Sequence, residues 1–216
     1  MKINESTDRI KRWGSLSKKD ETPTKMGPKA LSEVIRNRRS IFPGAYSDQP
    51  IPKAILEEIL ENANWAPNHR RTEPWRFRIF RDKGLDRLSQ FLGNYYKENT
   101  PAESFSEFKY NKNLRKPLQS ACVIAICMRR DPEERLPEWE EIAAVACAVQ
   151  NMWLTASAYG IGSYWSSPKS IEASGELLGL EEGERCLGFF YMGYSDKEAP
   201  PGLRQPIADK VIWIEE

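Results

Sequence analysis

Residues 121–128 read ACVIAICM, an unbroken apolar run of strand length. With no polar face to turn to water, such a run predicts a strand buried on both sides, at the middle of a sheet. Further along, residues 138–159 read EWEEIAAVACAVQNMWLTASAY between Pro137 and Gly160. Proline suits a first helical turn and glycine ends one, so a single long helix is expected there. Its IAAVACAVQNMWLTASA portion is apolar or small nearly all round, which belongs inside the protein or inside a dimer interface.

Outward from this pair the pattern stays periodic. On the C-terminal side the reading is a short strand at 161–166, a helix at 170–179, a strand CLGFFYMGY at 186–194, and a proline-rich segment at 200–206. A last strand, VIWIE at 211–215, follows it. On the N-terminal side WRFRIF (75–80) alternates apolar and basic residues, a half-exposed strand, and Leu85, Leu88, Phe91 and Leu92 give a helix over 83–97. Ile55, Leu56, Ile59, Leu60 and Ala63 form an apolar helical stripe between Pro52 and Pro67, and Leu31, Val34 and Ile35 form another that ends near Arg38–Ser40. Helices and strands alternate without a strict βαβ repeat, so the class is α+β, with helices around a mainly antiparallel sheet. The strand order does not follow from the pattern.

Composition narrows the function. Lys and Arg number 32 against 31 Asp and Glu, a balance that argues against a general nucleic-acid or membrane-surface binder. The chain is 40% hydrophobic and 11% aromatic, enough for a sizeable core. No apolar run approaches the roughly 18–20 residues that span a bilayer, and MKINESTDRIKRW lacks the apolar stretch of a secretory signal. A soluble, cytoplasmic protein is expected. Cys122, Cys127, Cys147 and Cys186 show no C-x-x-C spacing, and the single histidine, His69, completes no zinc set with them. Small buried thiols in a reducing compartment are expected. Residues 1–29 carry many charges and few apolar residues, with Pro23 and Pro28 against helix formation. They read as a basic N-terminal arm preceding a domain at 30–216.

Catalytic machinery does not emerge from the residues alone. A Ser-His-Asp triad would rest on His69 without a G-x-S-x-G, and there is no Walker loop, no G-x-G-x-x-G opening a βα unit and no histidine cluster. What remains is polar residues at the ends of elements. Arg38-Arg39-Ser40 closes the first helix, and Trp65-Ala66-Pro67-Asn68-His69-Arg70-Arg71 forms a stiffened loop. Trp165-Ser166-Ser167-Pro168 ends a strand, and Arg204 precedes the last one. Anion-binding arginines and aromatic loops without an acid–base constellation suggest a bound cofactor that performs the chemistry.

Taken in order, LSEVIRNRRS, APNHRRTEPWRF, the alanine-rich helix closing at YGIGSYWSSP, FFYMGY and LRQP…VIWIE resemble the nitroreductase family of FMN flavoproteins, in the subgroup whose loop reads Ala-Pro-Asp/Asn-His. The likeness spans roughly residues 30–216. It implies a homodimer with FMN at the interface, reduction by NADH or NADPH, and transfer to a nitroaromatic, quinone or other electrophilic small molecule by a ping-pong mechanism. It further implies that Arg38 and Arg204 pair with the FMN phosphate, and that Arg39 and Ser40 hold the phosphate or the ribityl and ring edge. Ser166 and Ser167 would offer backbone N–H groups to flavin O4 and N5 beside Trp165, while Trp65 and His69 would reach the cofactor across the interface. Many members carry a Lys or Arg near flavin N1/O2 where this chain has Phe42, leaving Lys116 or His69 to supply that cation. Two other readings stand beside this one: a flavin-binding or flavin-processing relative with little turnover, and a non-enzymatic binding protein that uses the basic arm.

Overall fold

The structure, a computed structural model of the chain, describes residues 27–197 and 199–215. Residues 33–216 make up one compact unit. The expected arm at 1–29 lies almost wholly outside the described residues. Its boundary does fall inside the first helix, α1 (Pro28–Asn37): a proline at the first helical position has no N–H to satisfy and a suitable φ, so Pro28 opens the helix instead of breaking it.

Residues 122–129 form the centre of the sheet, as their apolar run requires. Strand β1 (Trp75–Phe80) pairs antiparallel with β2 (Cys122–Arg129), β2 pairs antiparallel with β4 (Glu184–Tyr194), and β4 pairs antiparallel with β3 (Ile161–Ser166). The order across the sheet is therefore β1-β2-β4-β3. Every residue of β2 from Cys122 to Met128 is buried. On one face α2 (Lys53–Asn64) and α5 (Glu138–Ala158) cover Ile124, Ile126 and Phe190 with Leu56, Ile59, Val145, Val149 and Met152. On the other face Leu85, Leu88 and Leu92 of α3 (Lys83–Glu98) cover Val123, Ala125, Phe189 and Tyr191. Burying a side chain of this size is worth about 1.5–3 kcal/mol, so the two layers supply the bulk of the driving force.

The structure departs from the sequence reading at several points. A helix not read from the sequence, α4 (Glu107–Leu118), carries Pro117 in its last turn; its sparse apolar residues hide the periodicity. The expected helix at 170–179 divides into a 3-10 turn, Lys169–Ala173, and a short helix α6, Gly175–Leu178. The expected last strand at 211–215 is not a strand: it follows a 3-10 turn at Ile207–Lys210 without regular structure, and Ile212, Trp213 and Ile214 are each more than four-fifths exposed. A strand needs a neighbour for its hydrogen bonds, and none is present among the described residues. The basic residues of β1 are not solvated as alternation implied. Arg76 and Arg78 reach the buried Glu184 of β4 at 3.7 and 2.8 Å.

The long helix α5 is buried along one face only, by Ala144, Val145, Ala148, Val149, Met152 and Ala156. Ala143 and Cys147 on its opposite side are exposed. Cys122, Cys127 and Cys186 are buried as expected, and Cys147 corrects that expectation because it falls on the outer face of the helix. Among the described residues no helix is long and apolar enough to cross a membrane.

Candidate cofactor site

Two cavities flank the segment that runs from α1 to the start of the sheet. The segment is fixed by Ser40, which bridges Ser163 of β3, and by the Ile41 amide, which donates to the Ser163 carbonyl at 3.0 Å. It needs a glycine opposite: a Cβ on Gly162 would stand 2.8 Å from that of Ile41. Arg38 and Arg39 lie at one end of this segment and Phe42 at the other, roughly 13 Å apart for an extended chain.

At the arginine end a cleft of about 640 Å³ is lined by Arg36, Arg38, Arg39 and Arg204 with Gln150 and Gly202. The Arg38 guanidinium lies over the Trp153 ring, 4.5 Å from its centroid. The Trp153 indole N–H in turn donates to the Arg39 carbonyl at 3.3 Å. Arg39 is tied down by the carbonyls of Pro200, at 3.1 Å, and of Arg36 and Arg38. Gly202 lets the chain pass beside it, since a Cβ there would stand 2.6 Å from the guanidinium carbon of Arg39. Among the described residues Arg204 bonds its neighbour's carbonyl alone, that of Leu203, at 2.7 Å. Arg38 Nη1 is buried with no acceptor, and burial, with Arg204 and Arg39 nearby, lowers the Arg38 pKa. Among the described residues none of these arginines forms a salt bridge with a carboxylate. A buried donor left unpaired costs about 1–3 kcal/mol, and an anion entering the cleft would recover it. A phosphate dianion fits this donor set by charge and by the bidentate geometry of guanidinium.

At the other end Phe42 packs on Tyr164 with ring centroids 4.6 Å apart. Lys116 of α4 reaches the same place. Its Nζ donates to Ser166 Oγ at 3.0 Å and to Tyr164 Oη at 3.4 Å, and it lies 4.6 and 4.4 Å from the Tyr164 and Tyr191 ring centroids. Burial lowers the Lys116 pKa, with Tyr164 acting the other way. Lys116 thus stands beside Phe42, on the face of β3 that carries Tyr164 and Ser166. Trp165 points to the opposite face and packs against the core, its indole N–H buried without an acceptor. The approach of β4 there requires Gly188, at φ 146°, whose Cβ would stand 2.3 Å from Trp165 Nε1 and 2.6 Å from the Ser166 carbonyl. Ser167 is exposed beyond the strand end.

The loop after α2 lies apart from these groups within the chain. Trp65 is exposed and its indole N–H donates to Glu61 at 3.0 Å, while His69 Nδ1 lies 2.8 Å from Glu140 Oε2. Arg70, Arg71 and Glu73 all have positive φ, a strained run held by the Glu73 amide on Asn68 Oδ1 at 3.2 Å. Strain of this kind gathers at functional loops.

Arg38, Arg39 and Arg204 therefore line one cleft, Ser40 follows on the bridge to Ser163, and Lys116 and Phe42 line the second cavity beside Ser166; among the described contacts Trp65 and His69 join neither group. The sequence reading missed Trp153, Tyr164, Tyr191 and Gly188. A lone glycine inside a strand was the available signal for the last of these, and the others read as core aromatics.

Residues 35–194 match the model of the nitroreductase family. The chain is 31% identical over 183 residues to YfhC of Bacillus subtilis, which carries the provisional name NAD(P)H nitroreductase; the match covers 83% of this chain and 92% of that protein. A nitroreductase-like family protein from Bacillus cereus has a similar structure, with TM-score 0.71 and 30% identity over 86% of this chain and 96% of that one. An FMN-dependent nitroreductase from Mycobacterium smegmatis, NfnB, solved with NADPH, shares the fold at TM-score 0.68 and 16% identity, covering 87% of this chain and 99% of that one. The chain belongs to the nitroreductase family.

Proposed function

We propose that the protein is an FMN-dependent NAD(P)H oxidoreductase that reduces electrophilic small molecules such as nitroaromatics or quinones. The observation that carries this reading is the unpaired, buried Nη1 of Arg38 in a cleft of arginines without acids. FMN held there would supply the two-electron redox chemistry that links NADH or NADPH to the acceptor.

In this reading Arg38 and Arg204 hold the phosphate, with Arg39 and Ser40 along the ribityl side and the backbone of Ser166 and Ser167 at the ring edge. Lys116 supplies the cation that Phe42 lacks. Its Nζ already lies against Ser166 at the strand end, where negative charge on a reduced ring would favour the protonated amine. The partial burial of Lys116 against the Tyr164 and Tyr191 rings strengthens that interaction. A homodimer completes the site, with Trp65 and His69 contributed by the second copy. The exposed outer face of α5 and the exposed apolar side chains Leu203, Ile207, Ile212, Trp213 and Ile214 support that arrangement, since apolar patches of this extent call for a partner. Reduction by NAD(P)H suits a cytoplasmic enzyme, with residues 1–29 as an arm outside the catalytic domain at 30–216. Anaerobic mixing of the purified protein with NADH and with NADPH, followed by a panel of acceptors, tests the reading: a bound flavin that neither nucleotide bleaches would favour a flavin-binding or flavin-processing relative with little turnover instead.

A further inference from the structure

The second cavity, about 490 Å³, lies between Phe42 and Tyr164 on one side and α4 on the other. Phe108, Lys112 and Arg115 line it from α4, and Gln119 from the residue that caps that helix. Their spacing of four, three and four residues puts them on one helix face. With Lys116 the cavity has three cations and no acidic lining residue, and among the described residues none of the three forms a salt bridge. The walls are aromatic, which suits a flat ring better than a lone phosphate.

We propose that this cavity selects a planar aromatic anion as the acceptor, such as an aromatic carboxylate whose ring also bears the nitro group that takes the two electrons, with its ring against Phe42 and Tyr164 and its charge between Lys112 and Arg115. The inference rests on the oxidoreductase reading and names the substrate class of that site. The cavity adjoins the ring end through Lys116, whose Nζ bonds Ser166. Arg115 offers a fork that matches a carboxylate, and Lys112 one turn away adds a second charge.

The test compares benzoate with its neutral isostere benzamide on the purified protein, by calorimetry and by perturbation of the flavin spectrum, in the wild type, Lys112→Gln, Arg115→Gln and the double variant. Benzoate is expected to bind about tenfold tighter than benzamide. The preference should fall about threefold in each single variant and nearly vanish in the double, the scale of two exposed charge pairs. Added salt should weaken benzoate alone. Equal binding of the two ligands by a protein that carries FMN and is bleached by NAD(P)H would overturn the inference and leave the reductase intact. Calorimetry needs no flavin, so a colourless protein that still prefers benzoate would remove the reductase reading and keep the anion site. If the variants alter the NADPH-to-NADH preference and leave the benzoate preference unchanged, the cavity serves the nicotinamide phosphate and the inference fails.

Discussion

Arg38 stacks on Trp153 with its guanidinium carbon 4.5 Å from the ring centroid, yet its Nη1 is buried without an acceptor. The stack positions a cation whose hydrogen bond remains to be made. Replacing Arg38 with Gln should therefore weaken FMN binding by about ten- to a hundredfold, the worth of a charge-assisted hydrogen bond. Burial already disfavours the charged form of this side chain, so the flavin-free variant should melt no lower than the flavin-free wild type. Arg204→Gln should weaken binding less, because that side chain is exposed. Flavin fluorescence titration and thermal melts of the stripped proteins check all three.

Lys116 gives a pH-dependent signature. Burial lowers its pKa in the folded protein, so between that value and the ordinary lysine value the unfolded chain binds more protons. Stability from this group therefore rises with pH across that window. Relative to Lys116→Met, the flavin-free wild type should gain stability from neutral pH towards pH ~10. Urea unfolding of both proteins at several pH values reads the difference, and parallel curves would be the contrary result.

Gly188 sits at the register shift between β2 and β4, at φ 146°. An alanine there adds backbone strain and drives a methyl group into Trp165 and the Ser166 carbonyl. The expected loss is at least about 2 kcal/mol, accompanied by weaker FMN retention because the strand end moves. Gly44→Ala, which meets nothing within 4 Å, should leave the melting temperature within a few degrees of wild type.

The exposed tail gives a prediction about assembly. Sedimentation should find a species of about 50 kDa, twice the 24.9 kDa chain. A chain ending at Lys210 should dissociate at higher concentration than the full-length protein, because it lacks Val211, Ile212, Trp213 and Ile214 from the interface. Unchanged dissociation would assign the tail another role.

Much of the fold was legible where periodicity was strong. The apolar run at 121–128, the α5 helix and the 161–166 strand all stand where they were read, because burial on known faces leaves few alternatives. Helix α4 escaped notice because Phe108 and Leu118 point outward and Pro117 sits in its last turn. The strand expected at 211–215 failed for a different reason: the sequence favours an extended apolar segment, but pairing needs a neighbouring edge that no local pattern encodes. In the site, the arginines at 38, 39 and 204 were found from residue type and order. Tyr164, Tyr191 and Trp153 were not, since an aromatic that shelters a cation and one that fills the core look alike in sequence.

The central claim is tested most directly by the colour of the purified protein and its response to reductant. The account predicts one FMN per chain and loss of the visible flavin band on anaerobic mixing with NADH or NADPH, restored by an electrophilic acceptor. A protein that binds FMN at micromolar or weaker affinity, or whose bound flavin stays oxidised with both nucleotides, would contradict it.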